Sequence, residues 1–247
     1  GAQARGKQKL RSGGMYYTAQ SGIWKSVWIE RVPENYLREI RLTPEYDQGR
    51  ILVQLRAENP QGADIVLYSD GREIAHARSG EGGEAELRIP EGDRRPWCPE
   101  DPFLYEVKIR LGEDVVRSYT ALRKYEIRRD DRGILRFFLN DKPYFLHGLL
   151  DQGYWKEGLY TPPSDEAMCQ DIRRAQSLGF NMLRKHVKIE AERWYYHCDR
   201  LGMIVWQDMV NGGGTYKAWF VTYAANIFLP FLRRWKDHRY SMTARTD

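Results

Sequence analysis

The chain has 247 residues, of which 42% are hydrophobic and 30% charged, with a formal net charge of +5. That length suits one large or two ordinary domains, and the balance places the chain among globular proteins rather than disordered ones. Lysine and arginine are scattered among acids, so a solvated surface accounts for the charge better than a nucleic-acid footprint does; the densest basic run is Arg5 to Arg11.

The three cysteines, Cys98, Cys169 and Cys198, show no CxxC spacing. Their odd number argues against a disulfide framework or a zinc site. Free, mostly buried thiols suit a reducing compartment such as the cytoplasm, without fixing the location. The longest apolar stretch, Ala218 to Leu232, carries Thr222, Asn226 and Pro230 and is too short to span a bilayer. Gly1 to Lys7 reads as the middle of a loop, so the lack of a signal peptide says nothing about localisation.

In chain order, Met15 to Thr18 and Ser21 to Glu30 come first. Ile23, Lys25, Val27 and Ile29 alternate with Trp24, Ser26 and Trp28, which predicts a strand. Two strands cannot make a domain alone, so residues 1–32 are expected to be the end of a larger sheet unit. From 33 to 128 the pattern is all β. Strands are expected at Tyr36 to Leu42, Ile51 to Ala57, Asp64 to Tyr68, Glu73 to Ala77, Glu84 to Ile89, Leu104 to Leu111 and Val115 to Thr120. Ser69-Asp70-Gly71-Arg72 and Gly112 to Asp114 supply hairpin turns. Some seven short strands over that span fit an immunoglobulin-like sandwich. Pro96 to Pro102 is a rigid crossing between strands.

Arg128 to Gly133 reads as a charged linker or turn. Ile134 to Leu139 and Tyr144 to Leu149 then form a hairpin that feeds a first parallel strand. Ser164 to Leu178 has helical spacing, with Met168, Ile172, Ala175 and Leu178 on one face, Ser164 as N-cap and Gly179 as stop. Phe180 to Arg184 is the next strand, Glu190 to Leu201 the next helix and Met203 to Gln207 a third strand. Apolar strands alternating with helices predict a parallel sheet covered by helices, with chemistry at the C-terminal strand ends. His147, Asp151, Arg184, Lys185, His186, Gln207, Asp208 and Asn211 are the polar residues assigned to those ends. Tyr216 to Trp235 is apolar on all sides, and the tail from Lys236 to Asp247 is polar.

Five stretches occur in a telling order: Ser21-Gly-Ile-Trp-Lys-Ser-Val-Trp-Ile-Glu30, Trp97-Cys-Pro-Glu-Asp-Pro-Phe-Leu-Tyr105, Leu139-Asn-Asp-Lys-Pro-Tyr-Phe-Leu-His-Gly148, Gly179-Phe-Asn-Met-Leu-Arg184 and Leu201-Gly-Met-Ile-Val-Trp-Gln-Asp208. Together they resemble glycoside hydrolase family 2, the group of β-galactosidases, β-glucuronidases and β-mannosidases. The resemblance implies a multi-domain chain. Residues 1–32 would be a remnant of a jelly-roll sugar-binding domain and 33–128 an immunoglobulin-like β-sandwich. Residues 129–247 would be the first three β/α units of a (β/α)8 TIM barrel.

The family uses two Glu as a retaining pair, one acid/base and one nucleophile. The Asn-Glu motif of the acid/base does not occur here. Both catalytic Glu are therefore expected beyond Asp247, no catalytic residue lies in this chain, and this piece is expected to be inactive alone. No cofactor and no metal are expected.

Substrate contacts are expected at Asp151, Arg184, Asp208, Trp155 and His186, of which the resemblance carries Arg184 and Asp208 and the strand-end position the others. Arg184 matches an Arg near the bound sugar, where a guanidinium orients a carboxylate; otherwise it ties strands together. Asp208 either accepts from sugar hydroxyls or caps the loop after its strand. Asp151 is read as ligand-facing, while Trp155 either stacks on a sugar face or fills loop core with Tyr154. His186 departs from the commoner family residue at its place. Lys185 should alternate away from the site, and Lys188 reads as a solvated loop charge.

The expected partner is a carbohydrate, with neither nucleic acid nor membrane. Three strands of a barrel leave an open edge, which either a further part of the polypeptide or other copies of this chain must cover. The rival reading is a non-catalytic carbohydrate-binding or protein-interaction module built on the sandwich; β/α units speak against a pure β module.

Overall fold

The structure, a computed structural model, describes residues 4–210. The expectations for Asn211, for Tyr216 to Trp235 and for the tail lie outside them.

Two short strands, β1 (Gln8–Lys9) and β2 (Tyr17–Thr18), pair in parallel near the start of the chain. The strand expected over Ser21 to Glu30 is not formed. Its alternating apolar side chains stay exposed, Ile29 at 98%. Alternation confers only the capacity for a strand; without a neighbouring edge to pair with, the backbone bonds of a ladder are not made. The segment is instead pinned at its side, where Thr161 Oγ1 donates to Trp24 O at 2.9 Å and Tyr160 N donates to Gln20 Oε1 at 2.9 Å.

Two antiparallel sheets follow. One is ordered β3 (Glu39–Glu45), β4 (Arg50–Arg56) and β7 (Glu84–Arg88). The other runs β6 (Arg72–Arg78), β5 (Asp64–Ser69), β8 (Tyr105–Leu111), β9 (Asp114–Thr120). Every second residue of the central strands points inward, so Ile51, Val53, Leu55, Ile65, Leu67, Val107 and Ile109 form one buried core between the sheets. The β5–β6 turn places Asp70 at φ +49° and Gly71 at φ +77°, the left-handed pair that an Asp-Gly hairpin supplies. The first strand lies three residues later than predicted: Pro44 is tolerated there because β3 is an edge strand.

The charged run at 128–133 forms the expected turn over 130–133, but its first two residues belong to a strand. Arg128 and Arg129 end β10 (Tyr125–Arg129), which pairs with β11 (Leu135–Leu139), and β12 (Lys142–Pro143) completes a three-stranded sheet. The turn is held by Asp130, whose carboxylate accepts from the backbone N–H groups of Arg132 and Ile134.

A parallel three-stranded sheet comes last, ordered β13 (Gly148–Asp151), β14 (Met182–Lys185) and β15 (Ile204–Gln207). The first of these begins later than predicted. Tyr144 N still donates to Phe137 O in the preceding hairpin, and Phe145 is exposed rather than in a strand.

Helix α1 (Asp165–Ser177) starts where Ser164 Oγ accepts from Ala167 N at 3.1 Å. Helix α2 (Glu192–Leu201) ends on Gly202 at φ +80°. Both pack on one face of the parallel sheet through Met168, Ile172, Trp194 and Cys198 against Leu149, Leu183 and Val205. Among the described residues, the opposite face is covered only at its lower end, where Ile204 and Met182 meet Trp97, Ala121 and Leu139.

The sandwich and the β/α part are fastened through the end of α2. Trp97 Nε1 donates to Asp199 O at 2.7 Å, Arg123 pairs with the Asp199 carboxylate at 2.6 Å, and Tyr119 Oη donates to it at 3.0 Å. A Cβ on Gly202 would lie 2.3 Å from Pro99 O, so the crossing at 96–102 fits only against glycine there.

Candidate functional site

The register of the parallel sheet decides which side chains share a face. Leu149, Leu183 and Val205 are cross-strand neighbours, as are Leu150, Arg184 and Trp206, and then Asp151, Lys185 and Gln207. Successive side chains alternate. The first and third rows therefore face the helices, and the second row faces the other way. Leu150 and Trp206 are 54% and 50% exposed on that open face.

Beyond the strand ends, the open face gathers three of the predicted site residues. Arg184 Nε donates to Asp208 Oδ2 at 2.8 Å, and His186 Nδ1 lies 2.9 Å from the same oxygen. The His186 hydrogen bond, and after it the Arg184 guanidinium, hold the Asp208 carboxyl below the usual carboxylate range. The backbone fixes the arrangement, since Asp208 N donates to Lys185 O and His186 N to Asp151 O. A half-exposed guanidinium, an imidazole and an ionised carboxylate thus sit together at the mouth of a sheet. Such a set can accept from hydroxyls and orient an acidic group.

Behind the sheet lies a second charged cluster. Lys185 and Lys188 are each 1% exposed and Glu190 is 2% exposed. Lys185 Nζ is 2.7 Å from Asp151 Oδ2 and 3.0 Å from Glu190 Oε1. Lys188 Nζ is 2.8 Å from Glu190 Oε1 and donates to Gly153 O at 2.5 Å and Tyr160 O at 2.7 Å. Burial pushes the Lys188 ammonium down, while Glu190 pulls it the other way. Trp194 places its ring 4.0 Å from Lys185 Nζ. A Cβ on Gly153, at φ +63°, would meet Glu190 Oε1 at 2.3 Å. The cluster ties the loop after β13 to the loop after β14 and so supports the Arg184 side from beneath.

Several expectations change accordingly. Lys188 is not a solvated loop charge. Lys185 does alternate away from Arg184, into this cluster. Asp151 is not brought together with Arg184, His186 and Asp208; its carboxylate is committed to Lys185. Trp155 packs against the helix-side core, and its backbone closes a small turn with Leu159. Tyr154 stacks on Tyr17 with ring centroids 3.8 Å apart. His147 lies before β13, at the other end of the sheet from Arg184, where its Nδ1 is 3.1 Å from Gly179 O. Gln207 is also on the helix side, accepting from Tyr195 Oη at 2.5 Å. Glu190 was missed as a site-supporting residue. The signal available was the compact Lys185, Lys188, Glu190 spacing at a strand end and in the loop after it.

No family model matches the chain. It is 30% identical over 210 residues to a β-galactosidase of Aeromonas hydrophila, covering 75% of this chain and 20% of that protein. It is 27% identical over 197 residues to the Lactococcus lactis β-galactosidase, covering 75% of this chain and 19% of that one. The chain thus spans about a fifth of the length of the curated relatives it matches. Among solved structures, a β-D-glucuronidase of Dictyoglomus thermophilum superposes with a TM-score of 0.63 at 18% identity, over 75% of this chain and 31% of that one. A Ruminococcus gnavus β-glucuronidase in complex with D-glucuronic acid gives 0.63 at 19% identity, over 74% and 31%. At such identities the likeness is one of fold. In sequence this chain is a relative of β-galactosidases and in fold of β-glucuronidases, and its resemblance to glycoside hydrolase family 2 rests on both.

Proposed function

We propose that this chain is part of a retaining β-glycosidase of glycoside hydrolase family 2, hydrolysing O-glycosidic bonds of β-galactosides, β-glucuronides or β-mannosides. In this reading 1–32 is a jelly-roll remnant, 33–128 an immunoglobulin-like sandwich and 129–247 the opening three β/α units of a (β/α)8 barrel. The observation that carries it is the parallel sheet with Arg184, His186 and Asp208 joined on the face away from the helices. In a closed barrel that face is the interior, and its C-terminal end is where substrates bind.

Arg184, His186 and Asp208 form one wall of the sugar site. Asp208 accepts from hydroxyls, and Arg184 orients a carboxylate supplied from another strand. Asp151 acts through Lys185, holding the two loops behind that wall, and Trp155 packs the first of those loops. The acid/base and nucleophile Glu belong to later strands, so this chain alone should turn over no glycoside. The test is a chromogenic β-glycoside assay on this chain and on a polypeptide continuing past Asp247. Only the second should hydrolyse, and Arg184→Ala in it should lower kcat/KM at least tenfold. Turnover by this chain alone would refute the assignment of both Glu elsewhere.

A further inference from the structure

Two cavities meet on the other side of the molecule. One, of about 460 Å3, lies on the outer face of the sandwich and is lined by Tyr68, Tyr119 and Tyr196. The other, of about 800 Å3, lies between residues 25–28 and the start of α2 and is lined by Trp28 with the same Tyr119 and Tyr196. The shared pair stands edge to face, with centroids 5.1 Å apart, where the cavities adjoin. Together they make one aromatic-lined groove that shares no residue with the Arg184, His186 and Asp208 cluster.

The sheet register explains the aromatic row. Tyr68 lies opposite Glu106, and Glu106 opposite Tyr119, so the three cross neighbouring strands side by side. Lys108 and Arg117 form the next row on that face. The Tyr119 ring is held in place, since Tyr119 Oη donates to Asp199 at 3.0 Å. A ring fixed before binding loses little freedom when something stacks on it. Four basic side chains line the groove (Lys25, Lys108, Arg117 and Arg193, the last paired with Asp165 at 3.4 Å) against two acidic ones (Glu106 and Glu192). Flat apolar faces spaced along a cleft suit the C–H faces of pyranoses. Carboxylates at their edges suit ring hydroxyls, and the basic excess suits an acidic chain.

We propose that this groove binds an acidic oligosaccharide, a glycan chain carrying uronate residues. The choice of a glycan over other aromatic-stacking polyanions rests on the glycosidase reading above; the groove itself does not.

The test is calorimetric titration of this chain with a short uronate-bearing β-linked oligosaccharide, a neutral one of equal length and a single-stranded oligonucleotide. The uronate chain should bind more tightly than either, and less tightly as salt rises. Tyr196→Ala should weaken that binding by roughly tenfold, the scale of one lost aromatic contact. Tyr68→Ala, half-buried on the outer face of the sheet, should weaken it likewise. Arg117→Gln should shrink the preference for the acidic chain. No saturation at sugar concentrations on the order of millimolar, equal affinity for the neutral chain, tighter binding of the oligonucleotide, or indifference to Tyr68→Ala would each overturn the proposal. Because the readout is binding, it stays separate from whether a longer polypeptide cleaves β-glycosides.

Discussion

Glu190 carries two buried lysines on one carboxylate oxygen. A buried ion pair is weak evidence for net stability, but removing one partner strands the other in a dry place. Glu190→Gln should therefore destabilise the chain by about 3–5 kcal/mol, read as a lower midpoint in urea with an unchanged slope. Gly153→Ala should destabilise too, through a left-handed backbone and a Cβ driven into the same carboxylate. Reading Lys188 as solvated failed because its partners include carbonyl oxygens of Gly153 and Tyr160, far along the chain. Reading Asp151 as sugar-facing failed because its strand runs through Asp151 rather than ending at Leu149. The register with Lys185 then turns it toward the helices. The placement of Arg184, His186 and Asp208 at strand ends was legible, since a short apolar strand fixes which residues lie at its C-terminal end. Asp208 also carries a pH dependence. Its folded pKa is depressed, so its pairing stabilises the chain above the ordinary carboxylate pKa, about 3.9, and is lost as pH falls through the lower folded value. His186→Ala should move the Asp208 titration, followed by carboxyl NMR, upward toward the ordinary value.

At the scale of elements, α1 was readable because a 3.6-residue period, a Ser cap and a Gly stop agree with one another, although Leu178, expected on the inner face, is exposed; α2 was readable from its period and Gly202 alone. Ile172, fully buried on α1, is the clearest test of that face. Ile172→Ala should cost about 2–5 kcal/mol, measured by chemical unfolding. The central sandwich strands were readable from period 2 and their turns. Ser21 to Glu30 shows the limit of that reasoning, because pairing needs a partner that no local pattern specifies. β10 was hidden by its charges: its two arginines were taken as linker or turn, whereas solvent-facing charges are normal on a short paired strand. The Arg123, Asp199, Trp97 fastening was equally invisible in sequence, with partners 76 and 102 residues apart. Arg123→Ala should loosen the end of α2, seen as faster amide exchange over 192–201 with the sandwich strands still protected.

For the molecule as a whole, the open face is the feature that needs an explanation. The row Leu150, Arg184 and Trp206 offers two large apolar groups and a guanidinium to solvent, on a sheet whose outer strands each have an unpaired edge among the described residues. Closing such a sheet into a barrel would cover that row and satisfy both edges. Relatives about five times as long as the matched portion provide the length for it. The decisive measurement is the anomeric course of β-glycoside hydrolysis, followed by NMR, for a polypeptide that contains this chain and continues beyond Asp247. The account predicts cleavage with a β-configured first product, abolished or strongly reduced by Arg184→Ala; no cleavage of any β-galactoside, β-glucuronide or β-mannoside, or an α-configured first product, would contradict it.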